Sequence, residues 1–295
     1  MKIIITGAGG QLGQDCQRVF GKAHKAHQVT ALGRQELDIT HRAHVKETVD
    51  KISPDLIINC AAHTGVDACE TETECARELN VSGPRYLAQS AARCGSILVH
   101  ISTDYVFDGQ KPVADGYVED DDTRPLSVYG KTKLAGERAA REETENHIIV
   151  RTAWLYGIQG HNFLKTMLKL TQASPSREFK VVSDQFGSPT WSYRLALQIE
   201  KLVEKGARGI YHATAEGVCT WYDLADYFLN KMNVPHCLVP CTSAEFPTAA
   251  VRPKNSILEN RCLKEAGINI MAPWQDDVAQ YIEQFGKQLL QNVVV

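Results

Sequence analysis

The sequence predicts an α/β protein: a doubly wound parallel sheet covered by helices on both faces, followed by a smaller, mixed C-terminal lobe. Three observations predict it. Short apolar runs alternate with helix-length amphipathic segments through the first half of the 295-residue chain. The first run leads directly into the glycine-rich turn of ITGAGGQLG, residues 5–13. The run LIINC, residues 56–60, is apolar without alternation, as expected of a strand buried on both faces.

The elements follow in order. KIIIT (2–6) is a strand, and a helix runs from the glycine turn through Phe20. QVTAL (28–32) is the second strand, and a polar helix follows from about His41 to Lys51. After the strand at 56–60, one long helix is expected over 70–94. ILVHIST (97–103) is the next buried strand. A helix carrying Tyr129 comes next, then the strand HIIVRT (147–152). Beyond about residue 155 the alternation loosens. Helices are expected at 162–173 and 192–205, and strands at 179–183 and 209–214. Thr220 opens a helix, with Asp223 as a favourable acid near its N-terminus. The proline-containing stretch 235–253 is expected to be loops, and a final amphipathic helix spans 275–290.

Composition narrows the function classes. A 43% hydrophobic content suffices for a large core. The formal net charge of −3, with dispersed basic residues, gives no electrostatic footprint for nucleic acid or anionic membrane. No segment approaches the roughly 18 apolar residues of a membrane span, and the N-terminus lacks the pattern of a signal peptide. A soluble, cytoplasmic protein is expected. The nine cysteines are odd in number and lack a CxxC pair, so reduced thiols are expected, with Cys60, Cys94, Cys219 and Cys262 buried. The pairs His24/His27 and His41/His44 have H-x-x-H spacing but lie in polar stretches without a further ligand. They are expected to be solvated, and no metal site is predicted.

Gly7, Gly10 and Gly13 lie between a buried strand and a helix. Glycine lets backbone approach a pyrophosphate, and the helix N-terminus points N–H groups at the anion. The spacing is G-x-x-G-x-x-G, and its position makes this a dinucleotide site in a Rossmann-like domain. At the end of the second strand an acid would favour NAD, and an arginine the 2′-phosphate of NADP. Arg34 stands there, with no acid until Glu36, so NADPH is expected and NADH remains an alternative. Asp38 and Ile39 are placed to hold the adenine edge, and Ala61 and Ala62 suit close passage of backbone past the cofactor. The expected division is an NAD(P)-binding domain over 1–155, with interleaved later segments, and a second lobe over 156–295.

In LSVYGKTKLAG (126–136), Tyr129 and Lys133 are one helical turn apart and share a face. A cation there favours the phenolate and makes the tyrosine a better acid–base group. Ser102-Thr103-Asp104-Tyr105 ends a strand, where doubly wound sheets face the ligand crevice.

Together the glycine turn, Thr103 and Tyr129-x-x-x-Lys133 resemble the extended short-chain dehydrogenase/reductase superfamily. Within it, GAGGQLGQD, LDIT, AAHTGVDACE, HISTDYVFDG, PLSVYGKTKLAGE, RTAWLYG, NFLKTML, DQFGSPT and RPKNSILE resemble the dTDP-4-dehydrorhamnose reductase family. The resemblance implies hydride transfer from NAD(P)H to the C4 carbonyl of dTDP-6-deoxy-L-lyxo-4-hexulose. It implies Tyr129 as proton donor, Lys133 as ligand of the nicotinamide ribose, and Thr103 as hydrogen-bond partner of the reacting oxygen. Asp104 and Trp154 match the sugar-nucleotide site, to which Tyr105 is also assigned and which the lobe over 156–295 mainly serves. Gly10, Gln11, Leu12, Ala62, His63 and Thr64 match cofactor contacts. Trp154, which follows a strand, is either such a sugar-nucleotide ligand or an ordinary core residue. Some members bind Mg2+ at a subunit contact through glutamates. This chain has Asp15 and Tyr193 at those places, so that metal is not expected. A monomer or homodimer is expected.

Arg252, in AAVRPKNS, is either a ligand of the nucleotide diphosphate or a loop cation. Gln185 and Ser188, beside Pro189, either line the sugar pocket or belong to a rigid loop. The acidic run 119–122 reads as a solvated loop placed to act as a lid. Two other functions stay open: an extended-family epimerase or dehydratase that recycles bound NAD+, and a non-catalytic regulatory subunit like the β subunit of methionine adenosyltransferase.

Overall fold

The computed structural model describes residues 1–23, 27–113 and 115–291. Six parallel strands form the central sheet: β1 (Lys2–Thr6), β2 (Gln28–Leu32), β3 (Leu56–Asn59), β4 (Ile97–Thr103), β5 (His147–Thr152) and, from the second half, β10 (Gly209–His212). Their spatial order is β10-β5-β4-β3-β1-β2. The chain adds β2 on one side of β1 and β3 on the other, and this switch between β1 and β3 opens a crevice at the strands' C-terminal ends.

Both faces of the sheet are dry, as the unalternating runs require. Ile3, Ile5, Leu56, Ile58, Val99, Ile148 and Val150 face one core with α1 (Gln11–Ala23) and α7 (Ser192–Glu204). Ile4, Ile57 and Leu98 face the other, with α2 (Arg42–Ile52), α4 (Gly83–Cys94) and α5 (Val128–Glu143).

The helix expected over 70–94 runs without interruption over 73–94 but is not regular throughout. A short 3-10 turn (Ala68–Glu70) precedes it, and it consists of α3 (Thr73–Arg77), a π-helical segment (Glu78–Ser82) and α4. Buried Asn80 accounts for the π segment. Its Oδ1 accepts from the His63 backbone N–H at 2.9 Å, and its Nδ2 donates to the His63 carbonyl and to Thr132 Oγ1, both at 3.1 Å. Extra backbone in a π segment aims such a side chain at a partner that a regular helix would miss.

The second half adds β6 (Leu155–Tyr156), α6 (Phe163–Ala173), β7 (Glu178–Val182), β8 (Phe186–Gly187), β9 (Thr190–Trp191), β11 (Cys219–Thr220), α8 (Trp221–Lys231), β12 (Cys237–Cys241), α9 (Arg261–Glu265) and α10 (Trp274–Gln291). Thr220 and Asp223 close a capping box on α8. The stretch 235–253 is not all loop, because β12 pairs in parallel with β7. Pro240 obscured it, yet β12 has a single partner strand, and an edge position tolerates the missing N–H.

The acidic run is also corrected. Glu119 is buried, and its Oε1 accepts from the backbone N–H groups of His212 (3.0 Å) and Cys262 (3.1 Å). Asp120 pairs with Arg261, so Glu119 and Asp120 tie the halves together, and Asp121 pairs locally with Lys111, instead of the run forming a free lid.

All nine cysteines are unpaired. Cys219 is buried as expected, whereas Cys60, Cys94 and Cys262 are only half-buried, at the cavity, a helix end and α9. His41 and His44 are exposed and His27 is half-buried, while His24 lies outside the described residues. Among the described residues, no helix is long and apolar enough to cross a membrane.

Candidate active site

A cavity of about 790 Å³ runs along the C-terminal ends of the central strands. One end is the glycine turn. Gly7 has φ +62°, and a Cβ on it would lie 2.6 Å from the Ala61 amide nitrogen. A Cβ on Gly13 would collide with the Gly7 carbonyl. The Gly10 N–H donates back to Gly7 O at 3.0 Å, and α1 starts at the next residue. This is a side-chain-free cradle against a helix N-terminus, which fits a pyrophosphate. Gly10, Gln11, Leu12, Arg34, Asp38, Ile39, Ala61, Ala62 and Thr64 line the same cavity, where an adenosine would extend from that cradle. The Arg34 side chain is 81% exposed and lies 3.9 Å from Asp38.

His63 does not line it. Its Nε2 lies 2.8 Å from Glu72 Oε2, and its Nδ1 lies 3.3 Å from Cys69 Sγ. The π segment holds its backbone through Asn80 and turns the ring away from the cavity.

Tyr129 and Lys133 face the middle of the cavity from the first turns of α5. Ser127 caps that helix, its Oγ accepting from Gly130 N–H at 3.1 Å. Gly130 is required there because a Cβ would strike the Tyr105 carbonyl. Lys133 Nζ donates to the Ile101 carbonyl at 2.7 Å. Burial lowers the Lys133 ammonium to about 8, against the opposing pull of Glu137 and Cys60. Burial pushes the Tyr129 phenol up. Hydrogen bonding to Thr103 pulls it down, and Asp104 pushes it further up. The expectation that Lys133 favours the phenolate is therefore corrected for the free protein. Burial is the largest influence on the phenol, and Lys133 is not among the groups that shift it.

Thr103 and Asp104 sit behind this wall and do not line the cavity. Thr103 Oγ1 donates to Asp104 Oδ1 at 3.0 Å and accepts from the Tyr105 N–H at 3.2 Å. Burial raises the Asp104 carboxyl to about 6, against hydrogen bonds from Ser256, Thr103 and the backbone. Tyr105 lines the cavity and meets Tyr129 edge to face, with centroids 5.6 Å apart.

The far end is aromatic and cationic. Trp154 has φ +47°, and its ring stacks on Trp221 with centroids 3.6 Å apart and planes 8° from parallel. Gly187 makes room, since a Cβ there would lie 2.6 Å from the Trp154 ring. Sequence reasoning missed Trp221. The Thr220 cap predicts the helix start but not which ring its first residue meets. Gln185 does not line the cavity. Its Oε1 accepts from Trp221 Nε1 at 3.2 Å, so it supports the wall from behind. Ser188 is buried and donates to the Gly217 carbonyl at 2.7 Å. Arg252 lines the cavity but is no free loop cation. Its guanidinium donates to both oxygens of Asp67, at 3.1 and 2.6 Å.

Asp15 is buried, and Ser192 Oγ donates to it at 2.5 Å, so it offers no surface carboxylate to a subunit contact. The Tyr193 ring carries the Arg18 guanidinium 4.4 Å above its centroid.

A glycine cradle at the switch of a parallel sheet, with a buried Tyr-x-x-x-Lys beside it, defines the class of extended short-chain dehydrogenases/reductases. Within that class, the sequence profile of the RmlD substrate binding domain matches residues 1–287, and the chain belongs to this family. It is 40% identical over 288 residues to a dTDP-4-dehydrorhamnose reductase of Aggregatibacter actinomycetemcomitans, covering 93% of this chain and 96% of that one. Its structure superposes on a dTDP-4-dehydrorhamnose reductase from Clostridium acetobutylicum with TM-score 0.93 at 41% identity, covering 97% and 99% of the two chains. It also matches the Bacillus anthracis enzyme, solved in complex with NADP, with TM-score 0.91 at 37% identity, covering 96% and 99%.

Proposed function

We propose that the chain is an NADPH-dependent reductase of the C4 keto group of dTDP-6-deoxy-L-lyxo-4-hexulose, forming dTDP-L-rhamnose. The observation that carries this reading is the placement of Tyr129 and Lys133 on one wall of the cavity that begins at the glycine cradle. A bound nicotinamide supplies the hydride. The chain's residues do the rest. The glycine turn and α1 hold the pyrophosphate, Arg34 meets the 2′-phosphate, and Asp38 and Ile39 bound the adenine.

Lys133 positions the nicotinamide ribose. Tyr129 keeps its proton in the free protein because burial raises its pKa, so it enters the reaction as a donor. Negative charge develops on the carbonyl oxygen as hydride arrives, and a hydroxyl within hydrogen-bond reach neutralises it. Thr103 holds Tyr129 from behind and Asp104 holds Thr103. The Trp154–Trp221 wall and Arg252 take the sugar nucleotide, with Asp67 keeping the guanidinium in place. Residues 1–155 with β10 serve mainly the cofactor, and the remainder mainly the sugar nucleotide.

Tyr129→Phe tests the assignment. NADPH affinity, read by fluorescence, should be retained, while kcat falls by about 10²–10⁴-fold. Unchanged turnover under conditions where chemistry limits the rate would remove Tyr129 from the reaction.

A further inference from the structure

We propose that His63, Glu72 and Cys75 form a binding site for one divalent transition-metal ion of zinc's class, beside the dinucleotide cavity but outside it. One ligand atom from each lies within 4.8 Å of the other two. Donors around a tetrahedral zinc at bond lengths of 2.0–2.3 Å lie about 3.3–3.8 Å apart, so an inward shift of about 1 Å closes the site. The means are present. Glu72 is 57% exposed and free to change rotamer, and Cys75 lies in the five-residue helix α3.

The imidazole is held more firmly than the other two donors. Asn80 grips the His63 backbone at both its N–H and its carbonyl, and Cys69 Sγ lies 3.3 Å from the ring Nδ1. That arrangement leaves Nε2 for the metal and gives Nδ1–H a partner, the orientation in which metal-bound histidines are fixed. At present Nε2 lies 2.8 Å from Glu72 Oε2, a geometry in which a proton occupies the metal's place. Binding displaces that proton, which passes by way of solvent to Nδ1 of the neutral ring, and releases the Cys75 thiol proton to solvent.

The donor set selects the ion. One nitrogen, one thiolate and one carboxylate suit zinc or cobalt. Mg2+ takes oxygen ligands in an octahedron and is excluded by the thiolate. Three protein ligands leave the fourth position to water. The sequence hid the site because its spacing, H-x8-E-x2-C, matches no common metal pattern, and the two H-x-x-H pairs lie elsewhere.

The test uses the full chain, Zn2+ in competition with a chromophoric chelator, and Co2+ as a spectroscopic probe. One equivalent of Co2+ should give a thiolate-to-cobalt charge-transfer band and tetrahedral visible absorption, both displaced by Zn2+. Exposed Glu72 is the least disruptive position, and Glu72→Gln should weaken Zn2+ by at least about tenfold, since a lost ligand costs no less than a lost outer-shell partner. Cys75→Ser should abolish the charge-transfer band. Cys262→Ser, remote from the site, should leave both readouts unchanged. The proposal is overturned if the wild type binds Zn2+ no more tightly than Glu72→Gln, if no charge-transfer band forms, or if Cys262→Ser removes the band instead.

Discussion

Arg34 shows how far a single residue can be read in advance. Its place after the second strand was legible, because strand ends in this fold face the cofactor. Its freedom was not, since the side chain is 81% exposed with Asp38 3.9 Å away. Arg34→Ala should weaken NADPH by about tenfold and NADH much less, at the low end of the range for a charge-assisted hydrogen bond because the site is solvated. Equal losses in equilibrium binding would show that Arg34 does not read the phosphate. Asp104 carries a different consequence. Its folded pKa of about 6 lies above the ordinary 3.8, so the native state binds the proton more tightly. The stability Asp104 contributes is therefore full below 3.8 and lost as pH rises through 6. Relative to wild type, Asp104→Asn should therefore gain about 2 kcal/mol of stability between pH 4 and pH 7.5. Urea melts at the two pH values read the difference, and a constant gap would contradict the burial argument. The positions of Thr103, Tyr129 and Lys133 were legible from motif spacing. That Thr103 and Asp104 stand behind the wall was not, because alternation along a strand does not say which surface a cavity reaches.

At the scale of elements, periodicity located the strands of the central sheet and most helices to within a few residues. It failed where a polar side chain reorganises the backbone. Asn80 lies in a π-helical segment of the expected long helix, where α5 approaches closely. A Cβ on Gly136 would collide with the Asn80 carbonyl. Gly136→Ala should therefore destabilise the protein by about 1–3 kcal/mol, the usual cost of overpacking, despite alanine's better helix propensity. A denaturant midpoint equal to or above that of wild type would mean the two elements can separate freely. The parallel pair β7–β12 was missed for the opposite reason. Pro240 is a valid breaker within a sheet interior but is tolerated on an edge.

Across the whole molecule, the two halves of the sequence share one sheet, and a buried polar network crosses between them where Arg151 Nη1 lies 3.5 Å from His212 Nε2. Arg151 on β5 donates to both oxygens of Glu137, at 2.9 and 2.8 Å, and Glu137 also accepts from Ser102 at 2.5 Å. Both charged side chains are nearly fully buried, at 3% and 2% exposure. Arg151→Met leaves a buried carboxylate unpaired and should cost about 3–5 kcal/mol in a urea melt. A smaller loss would show that water reaches Glu137. None of this network was legible in advance, because its members come from separate elements, β4, α5 and β5, and each looks like an ordinary strand or helix residue. The same assembly brings Trp221 and Arg252 from the second half to the cavity that begins at Gly7. Cofactor and sugar nucleotide would meet there and exchange a hydride with net consumption of NADPH. The direct measurement follows NADPH absorbance while the sugar nucleotide is resolved by chromatography, starting from dTDP-6-deoxy-L-lyxo-4-hexulose. One NADPH should be oxidised for each molecule reduced at C4. An isomerised or dehydrated sugar with no net loss of NADPH, or bound NADPH with no turnover, would contradict it.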